Sequence, residues 1–547
     1  MKKYIKNILP AAALLLSMGM SSCVGDLDVT PIDPNKNTNP VSDQLLNKCY
    51  ANFALAGQKG PDDGDCDIDG LDGGTTGFVR QLFNVNELPT DEAICNWGDP
   101  GIKEFNYATY DSNHPMVAGF YYRLYFGVTI CNQYLANFSD VDETKTAEVR
   151  FLRALDYYYL MDLYGNVPFT EKVSAEAAPQ YTRKQLYDYI EKELLEIEPK
   201  LSAATPKKST DAGYGRVDKA AAWMLLSRLY LNAQIYTGTA QWQKAADYAK
   251  KVMDSNYKLY TGATKNGWTA YQQLFMGDNG ENGASVEAIL PVLQDGKITA
   301  SYGTTLFLTA SAFDAGVIVN SNGTAGNNTS AYWAGNRARK DLVDKFFPNN
   351  NAPYVHAKDM YGRAGDDRAL FDAIQADGNK RNIDQANADQ VGIFTNGFAV
   401  AKFNNFYSDG SAGHDAKFTD TDFFLMRAAE AYLTYAEATA RLNNGQTTAE
   451  GTAAINALRK RAHAQERTSG SYSLDDILDE WSREFYFEGH RRVDLIRYGR
   501  FGGNNRYTWH WKGGVHEGTQ IPATKNIYAI PTNDKTVNPN IKQNPGY

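Results

Sequence analysis

The chain has 547 residues, a formal net charge of −9 and 43% hydrophobic residues. That length exceeds the ~100–200 residues usual for one domain, yet no long low-complexity linker divides it. The charge is mild for the size, and no basic block is interleaved with aromatics, which excludes a nucleic-acid surface from the expectations.

The first residues read as an export signal. Lys2, Lys3 and Lys6 give a positive start, Ile8 to Met18 is apolar, and small residues lead to Cys23 in Met20-Ser21-Ser22-Cys23. A bilayer span needs ~20 apolar residues, and this run is shorter. Cleavage before Cys23 would leave a new N-terminal cysteine, and lipidation there would tether the body to a membrane. The Pro/Asn/Asp-rich stretch Thr30 to Pro40 suits a flexible tether. The expected organisation is a signal peptide over 1–22, a lipid-anchored tether over 23–40 and a single domain over 41–547. No later segment is apolar enough to span a bilayer, so membrane contact is expected through the anchor only. Cys49, Cys66, Cys95 and Cys131 form no C-x-x-C pair and no zinc spacing. Two disulfides are open to them, but a large body does not need any.

Helices come in pairs. Ala147 to Tyr164 carries Phe151, Ala154, Leu155 and Tyr158, and Gly165 ends it. Its partner starts at Thr182, where Gln185 completes a capping box, and Leu186, Ile190, Leu194 and Ile197 form one apolar stripe. Val217 to Tyr236 is the next helix. Its Trp223, Leu226, Ser227 and Tyr230 match the W-x-x-L-G-x-x-Y spacing of a tetratricopeptide repeat, and the first pair's residues share those offsets. Trp242 to Met253 packs back through Ala245, Ala249 and Val252. A third pair spans Asp422 to Leu442 and Thr452 to Ala462, split by Asn443-Asn444-Gly445. One more helix runs from Leu474 to Gly489. Segments 56–115, 255–340 and 345–420 are rich in Gly, Asn, Asp and Ser, a loop composition that carries function on a rigid scaffold. The fold class is therefore mostly α: tetratricopeptide-like helix pairs as scaffold, with a long loop-rich ligand-binding face.

Polar constellations are sparse. Asp65-Cys66-Asp67-Ile68-Asp69-Gly70 begins like a calcium loop, but Thr76 stands where the bidentate Glu belongs. Asp278, Asn279 and Glu281 form another oxygen-rich loop. A structural calcium is the one metal these loops suggest, and no cofactor is required. Glu480, Glu484 and Glu488 recur every four residues among Arg483, Arg491 and Arg492. A glycosidase needs two carboxylates facing each other ~5–10 Å apart across a cleft, whereas these read as an ion-pair ladder along one helix. No G-x-S-x-G, H-E-x-x-H or phosphate loop is present. The seven histidines are scattered without metal spacing, and no enzyme is expected.

Ordered landmarks run through the chain. They are Asn86-Glu87-Leu88-Pro89-Thr90-Asp91-Glu92, Ala147-Glu148-Val149-Arg150-Phe151-Leu152-Arg153-Ala154 and Leu163-Tyr164-Gly165-Asn166-Val167-Pro168-Phe169. Later come Arg427-Ala428-Ala429-Glu430-Ala431-Tyr432, the run from Glu484 to Leu495 and the terminal Asn544-Pro545-Gly546-Tyr547. With the lipoprotein start, they make the chain resemble the SusD/RagB family of outer-membrane lipoproteins over essentially its whole mature length. The resemblance implies about four tetratricopeptide-like helix pairs and a loop-rich face. It also implies a non-catalytic role at the cell surface: holding polysaccharide or oligosaccharide and delivering it to a SusC-like TonB-dependent transporter. Gly57-Gln58-Lys59-Gly60 and Ala364-Gly365-Asp366-Asp367-Arg368-Ala369 are shared with the family's starch binder, which makes a starch-like glucan the first ligand to consider.

By the same resemblance, Trp97, Tyr302 and Trp333 correspond to an aromatic arc, and Arg80 and Asp72, flanking Gly73-Gly74, to its polar groups. Aromatic faces suit the C–H faces of pyranose rings, and fork-shaped polar groups suit vicinal hydroxyls. One departure stands out: the starch binder follows its tryptophan with a sugar-contacting asparagine, and here the chain reads Gly98-Asp99-Pro100. Two alternatives remain, a surface glycan hydrolase and a peptide-binding member of the same family.

Overall fold

A computed structural model describes residues 40–61, 66–349, 351–383, 391–467 and 471–547. Cys23, the tether up to residue 39 and Asp65 lie outside the described residues. The labelled helices are α1 (Ser42–Ala54), α2 (Phe78–Asn86), α3 (Pro115–Phe138), α4 (Glu143–Tyr164), α5 (Arg183–Ile197), α6 (Lys219–Leu231) and α7 (Trp242–Asp254). They continue with α8 (Thr305–Ser311), α9 (Ala428–Leu442), α10 (Ala449–Arg461) and α11 (Leu474–Phe485). Four strands matter below: β1 (Ala93–Cys95), β2 (Ala288–Val292), β3 (Asn336–Ala338) and β4 (Phe423–Arg427). Residues 46–547 cluster as one unit.

The helix ends follow local chemistry. Asp142 accepts a hydrogen bond from the Lys145 amide at 3.0 Å and starts α4. Gly165 ends that helix at φ +73°, where a side chain would be strained. Thr182 and Gln185 form the expected capping box at the start of α5. Asp218 caps α6, and Ser473 with Asp476 caps α11.

Packing runs from neighbour to neighbour: α3 on α4, α4 on α5, α5 on α6, α6 on α7, α7 on α9, and α9 on α10. The positions read as a repeat signature form the seams. Phe151, Ala154, Leu155, Leu226, Ser227, Ala245, Ala249 and Val252 have no exposed surface. Small residues on α7 let its backbone approach α6 and α9. Among the described residues, no helix is long and apolar enough to cross a membrane.

Three features depart from the sequence reading. First, α1 and α3 fall outside the expected pairs. In α3, Pro115 opens the first turn while the His114 ring accepts from the Val117 amide, and the helix buries residues on several faces, so no stripe marks it. Second, Asp422–Leu442 is not one helix. Its start is β4, which pairs antiparallel with β2, and helix begins only at Ala428. Phe423-Phe424-Leu425-Met426 is a fully buried apolar run, which periodicity cannot assign to helix or strand. Likewise Val217–Tyr236 breaks at Asn232, between α6 and a short helix over Ala233–Thr237. Third, α11 stops at Phe485, so Glu488 lies beyond the helix, after Phe487 at φ +65°.

The acidic ladder is buried in the scaffold. Glu480 pairs with Arg368, Arg459 and Arg483, and Glu484 with Arg368, Arg427 and Arg461. Glu488 pairs with Lys402 and Arg427. Burial alone would raise the Glu480 pKa, but its three arginines outweigh it and hold the carboxyl down at about 2. These groups tie α10, α11 and β4 together.

Candidate functional site

A short ladder builds the aromatic pair. β1 pairs antiparallel with β3, with Ala93 opposite Ala338 and Cys95 opposite Asn336. Trp97 follows β1 by two residues and Trp333 precedes β3 by three, so antiparallel pairing brings them to the same end. The Asn96 amide donates to Gly335 O at 3.2 Å, continuing the ladder. Trp97 Nε1 then donates to the Trp333 carbonyl at 3.2 Å. The two rings lie 6.4 Å apart at 57°. A Cβ at Gly335 would stand 2.2 Å from Trp97 Cε2, so only glycine lets the indole lie there. The Trp333 and Gly335 amides donate to Ala310 O and Ser311 O, which hooks this segment to the end of α8.

Tyr302 lies just before α8. Its ring is 6.3 Å from Trp333 at 44° and 5.2 Å from Phe418. Behind it, the 72–80 segment docks on glycine. A Cβ at Gly74 would stand 2.9 Å from Tyr302 Cβ, and one at Gly77 would stand 2.5 Å from Gly303 O. The Arg80 amide donates to Gly303 O at 3.0 Å.

The structure thus brings together all five residues singled out as candidates. Trp97, Tyr302 and Trp333 are each partly exposed and follow one another as a tilted row. Arg80 lies over the Trp97 and Phe307 rings, at 5.4 and 5.2 Å. The residue is 8% exposed, and its Nε has no hydrogen-bond partner in the protein. Burial lowers its pKa, offset in part by Asp72 and Asp99. Asp72 is exposed and caps the Gly73–Thr76 turn, accepting from the Thr75 amide at 2.9 Å and the Thr75 hydroxyl. Burial raises its pKa, but those bonds and Arg80 outweigh it, so the carboxyl titrates below its usual range. A half-buried row of rings beside a buried cation can stack flat C–H faces and donate to vicinal hydroxyls.

Lys417 and Phe418 were not legible as site residues. Lys417 Nζ lies 4.7 Å above the Tyr302 ring and donates to its hydroxyl. They sit more than a hundred residues away in a loop without periodicity, so no spacing could have shown them.

The oxygen-rich loops are already engaged. Asp67 faces inward, paired with Lys48 at 3.0 Å and Arg123 at 3.2 Å, and Thr76 is buried beside Cys66 and Arg123. Asp278 accepts from Ser408 and Asn282, and Glu281 from Ser209. Cys49, Cys66, Cys95 and Cys131 are free thiols. Burial pushes Cys95 up to about 12, which keeps it unreactive.

A helical-repeat scaffold carrying a loop-built aromatic row defines a binding protein with an open, stacking surface. The comparisons with known proteins assign it further. The SusD family model matches residues 260–547, and a family described as "Starch-binding associating with outer membrane" matches residues 93–231. The chain is 39% identical to the starch-binding protein SusD of Bacteroides thetaiotaomicron, over 100% of this chain and 99% of that one. It is 23% identical to SusD-like protein P2 of Formosa agariphila, over 74% and 77% of the two chains. Among solved structures, surface glycan-binding protein A of Bacteroides thetaiotaomicron, in complex with laminarihexaose, aligns with a TM-score of 0.62. That match is 17% identical and covers 92% of this chain and 98% of the other. The chain belongs to the SusD family.

Proposed function

We propose that this protein binds polysaccharide or oligosaccharide at the cell surface without cleaving it. The observation that carries this reading is the row Trp97–Trp333–Tyr302 beside Arg80, whose buried Nε has no hydrogen-bond partner in the protein. A starch-like glucan is the first candidate ligand, supported by the name of the 39% identical relative. Asp72 and Arg80 would then serve the sugar hydroxyls, and the three rings its C–H faces. The carboxylates of the acidic ladder are each consumed by arginine or lysine inside the scaffold, which supports binding over hydrolysis. Titration of the full-length protein with starch oligosaccharides and with laminarin oligosaccharides, by calorimetry, tests the ligand class. Heat from neither, with no retardation in gels containing other glycans, would sink the reading.

The protein is further proposed to act as a lipoprotein of the outer membrane, with a signal peptide over 1–22, a lipid-anchored tether over 23–40 and one ligand-binding body over 41–547. It would pass its glycan to a SusC-like TonB-dependent transporter. The lipobox-like run ending in Cys23 supports the anchor, and the description of the matched family supports the membrane. Cys23→Ala should release the protein from membranes of cells lacking the transporter. Retention there would count against the anchor. Gentle detergent extracts should co-purify a β-barrel transporter through an interface above ~1,000 Å².

A further inference from the structure

Two loops meet beside Tyr302 through three metal-ligating side chains. His414 Nδ1 lies 3.0 Å from Asp295 Oδ2 and 2.9 Å from Asp420 Oδ1. The three donor atoms all lie within 4.8 Å of one another. Ligands about 2.0 Å from a shared tetrahedral ion stand about 3.3 Å apart. The two His414 distances, now those of direct hydrogen bonds, need to open by only a few tenths of an ångström to admit one.

Both carboxylates are held by backbone amides. Asp295 Oδ1 accepts from Lys297 N at 2.8 Å and Ile298 N at 2.9 Å, which turns Oδ2 toward the imidazole. Asp420 Oδ2 accepts from His414 N at 2.9 Å, and its Oδ1 accepts from Gly296 N at 2.9 Å. The ligand atoms therefore need little rearrangement to converge. His414 is half exposed and Asp420 buried, so one side remains open for an ion to enter and keep its waters.

The donor set names the class of ion. Calcium and magnesium prefer all-oxygen shells, whereas an imidazole nitrogen with carboxylates suits zinc and its first-row divalent neighbours. Binding would displace the proton that Nδ1 otherwise shares with the carboxylates.

The position gives the site a consequence. Asp295 lies on the segment leading to Tyr302. His414 and Asp420 bracket Lys417 and Phe418, which pack on the Tyr302 ring. We propose that Asp295, His414 and Asp420 bind a divalent transition-metal ion that clasps the two loops holding Tyr302 and so tightens ligand binding there. The second half rests on the glycan-binding reading above, and the first does not.

The test titrates zinc chloride into chelator-treated full-length protein. One zinc per chain is expected in the wild type, with affinity lower by at least about tenfold in His414→Ala and Asp295→Asn. Excess calcium should not displace it. Hydrogen exchange should slow across 295–302 and 413–420 when zinc is added, in the wild type only. No zinc binding, unchanged binding in His414→Ala, displacement by calcium or unchanged exchange would overturn the metal site and leave His414 as a hydrogen-bonding partner of Asp295 and Asp420. These readouts need no glycan, so they are independent of the functional reading. In a glycan titration, zinc should raise the affinity of the wild type and not of His414→Ala. Equal affinity with and without zinc would overturn the coupling to Tyr302.

Discussion

Replacing Trp333 with alanine isolates stacking from architecture. Its backbone is anchored independently of its ring, by the hydrogen bond its amide donates to Ala310 O and by the carbonyl that accepts from Trp97 Nε1. Alanine keeps both. The ring itself is partly exposed and rests on a small apolar cluster of Leu306, Ala310, Ala331 and Phe418. Losing one stacking ring costs ~1–3 kcal/mol by analogy with nucleobases on aromatic side chains, which is about ten- to hundredfold in affinity. Trp333→Ala should therefore weaken oligosaccharide binding at least about tenfold, with a melting transition close to wild type. Trp97→Ala should weaken it as much and also lower stability, because that indole packs on Gly335, Phe307 and Arg80. Calorimetry with a starch oligosaccharide and circular-dichroism melts read the two effects separately. Unchanged affinity in both tryptophan variants would refute the placement of the site on these loops.

Gly335→Ala adds a methyl group where Trp97 lies, so it should weaken glycan binding although it offers nothing to the sugar. An unaffected titration would mean that the Trp97 ring is not held for ligand. Glu484→Gln leaves Arg427 and Arg461 short of a buried counter-charge and should cost ~3–5 kcal/mol of stability. Glycan affinity of the folded fraction should not change, and wild-type protein should release no reducing sugar. Hydrolysis abolished by Glu484→Gln would overturn the binding-only reading. Acid should unfold the scaffold. Burial would raise the Glu480 and Glu437 carboxyls, but their arginines outweigh it and hold both at about 2. A carboxylate depressed in the folded state stabilises fully above its unfolded pKa of about 4.3 and loses that contribution as pH falls toward the folded value. Urea midpoints should therefore drop steadily from about pH 5 to about pH 2, and a flat profile over that range would contradict the ion-pair account.

The scaffold was legible because its signals are local. A capping box, a C-terminal glycine and a stripe of small residues each act within one or two turns, and Thr182–Gln185, Gly165 and the Ala245/Ala249/Val252 seam stand where those signals put them. Boundaries failed where the deciding contact is distant. Phe423 to Arg427 is a strand only because Ala288–Val292 lies alongside it, and nothing within the segment shows that partner. The site has the same character. No periodicity relates Trp97 to Trp333, which meet through three paired residues of β1 and β3, so resemblance named the two rings and only the fold explains them. Lys417 is a further case. It lies in a loop with no signal of its own and became visible only through its distance to Tyr302. Rigidity at this face therefore comes from what lies behind the rings rather than from the rings. Gly74, Gly77 and Gly303 allow two backbone segments to approach closely, and Gly335 makes room for the Trp97 indole, so that three aromatic side chains share one surface.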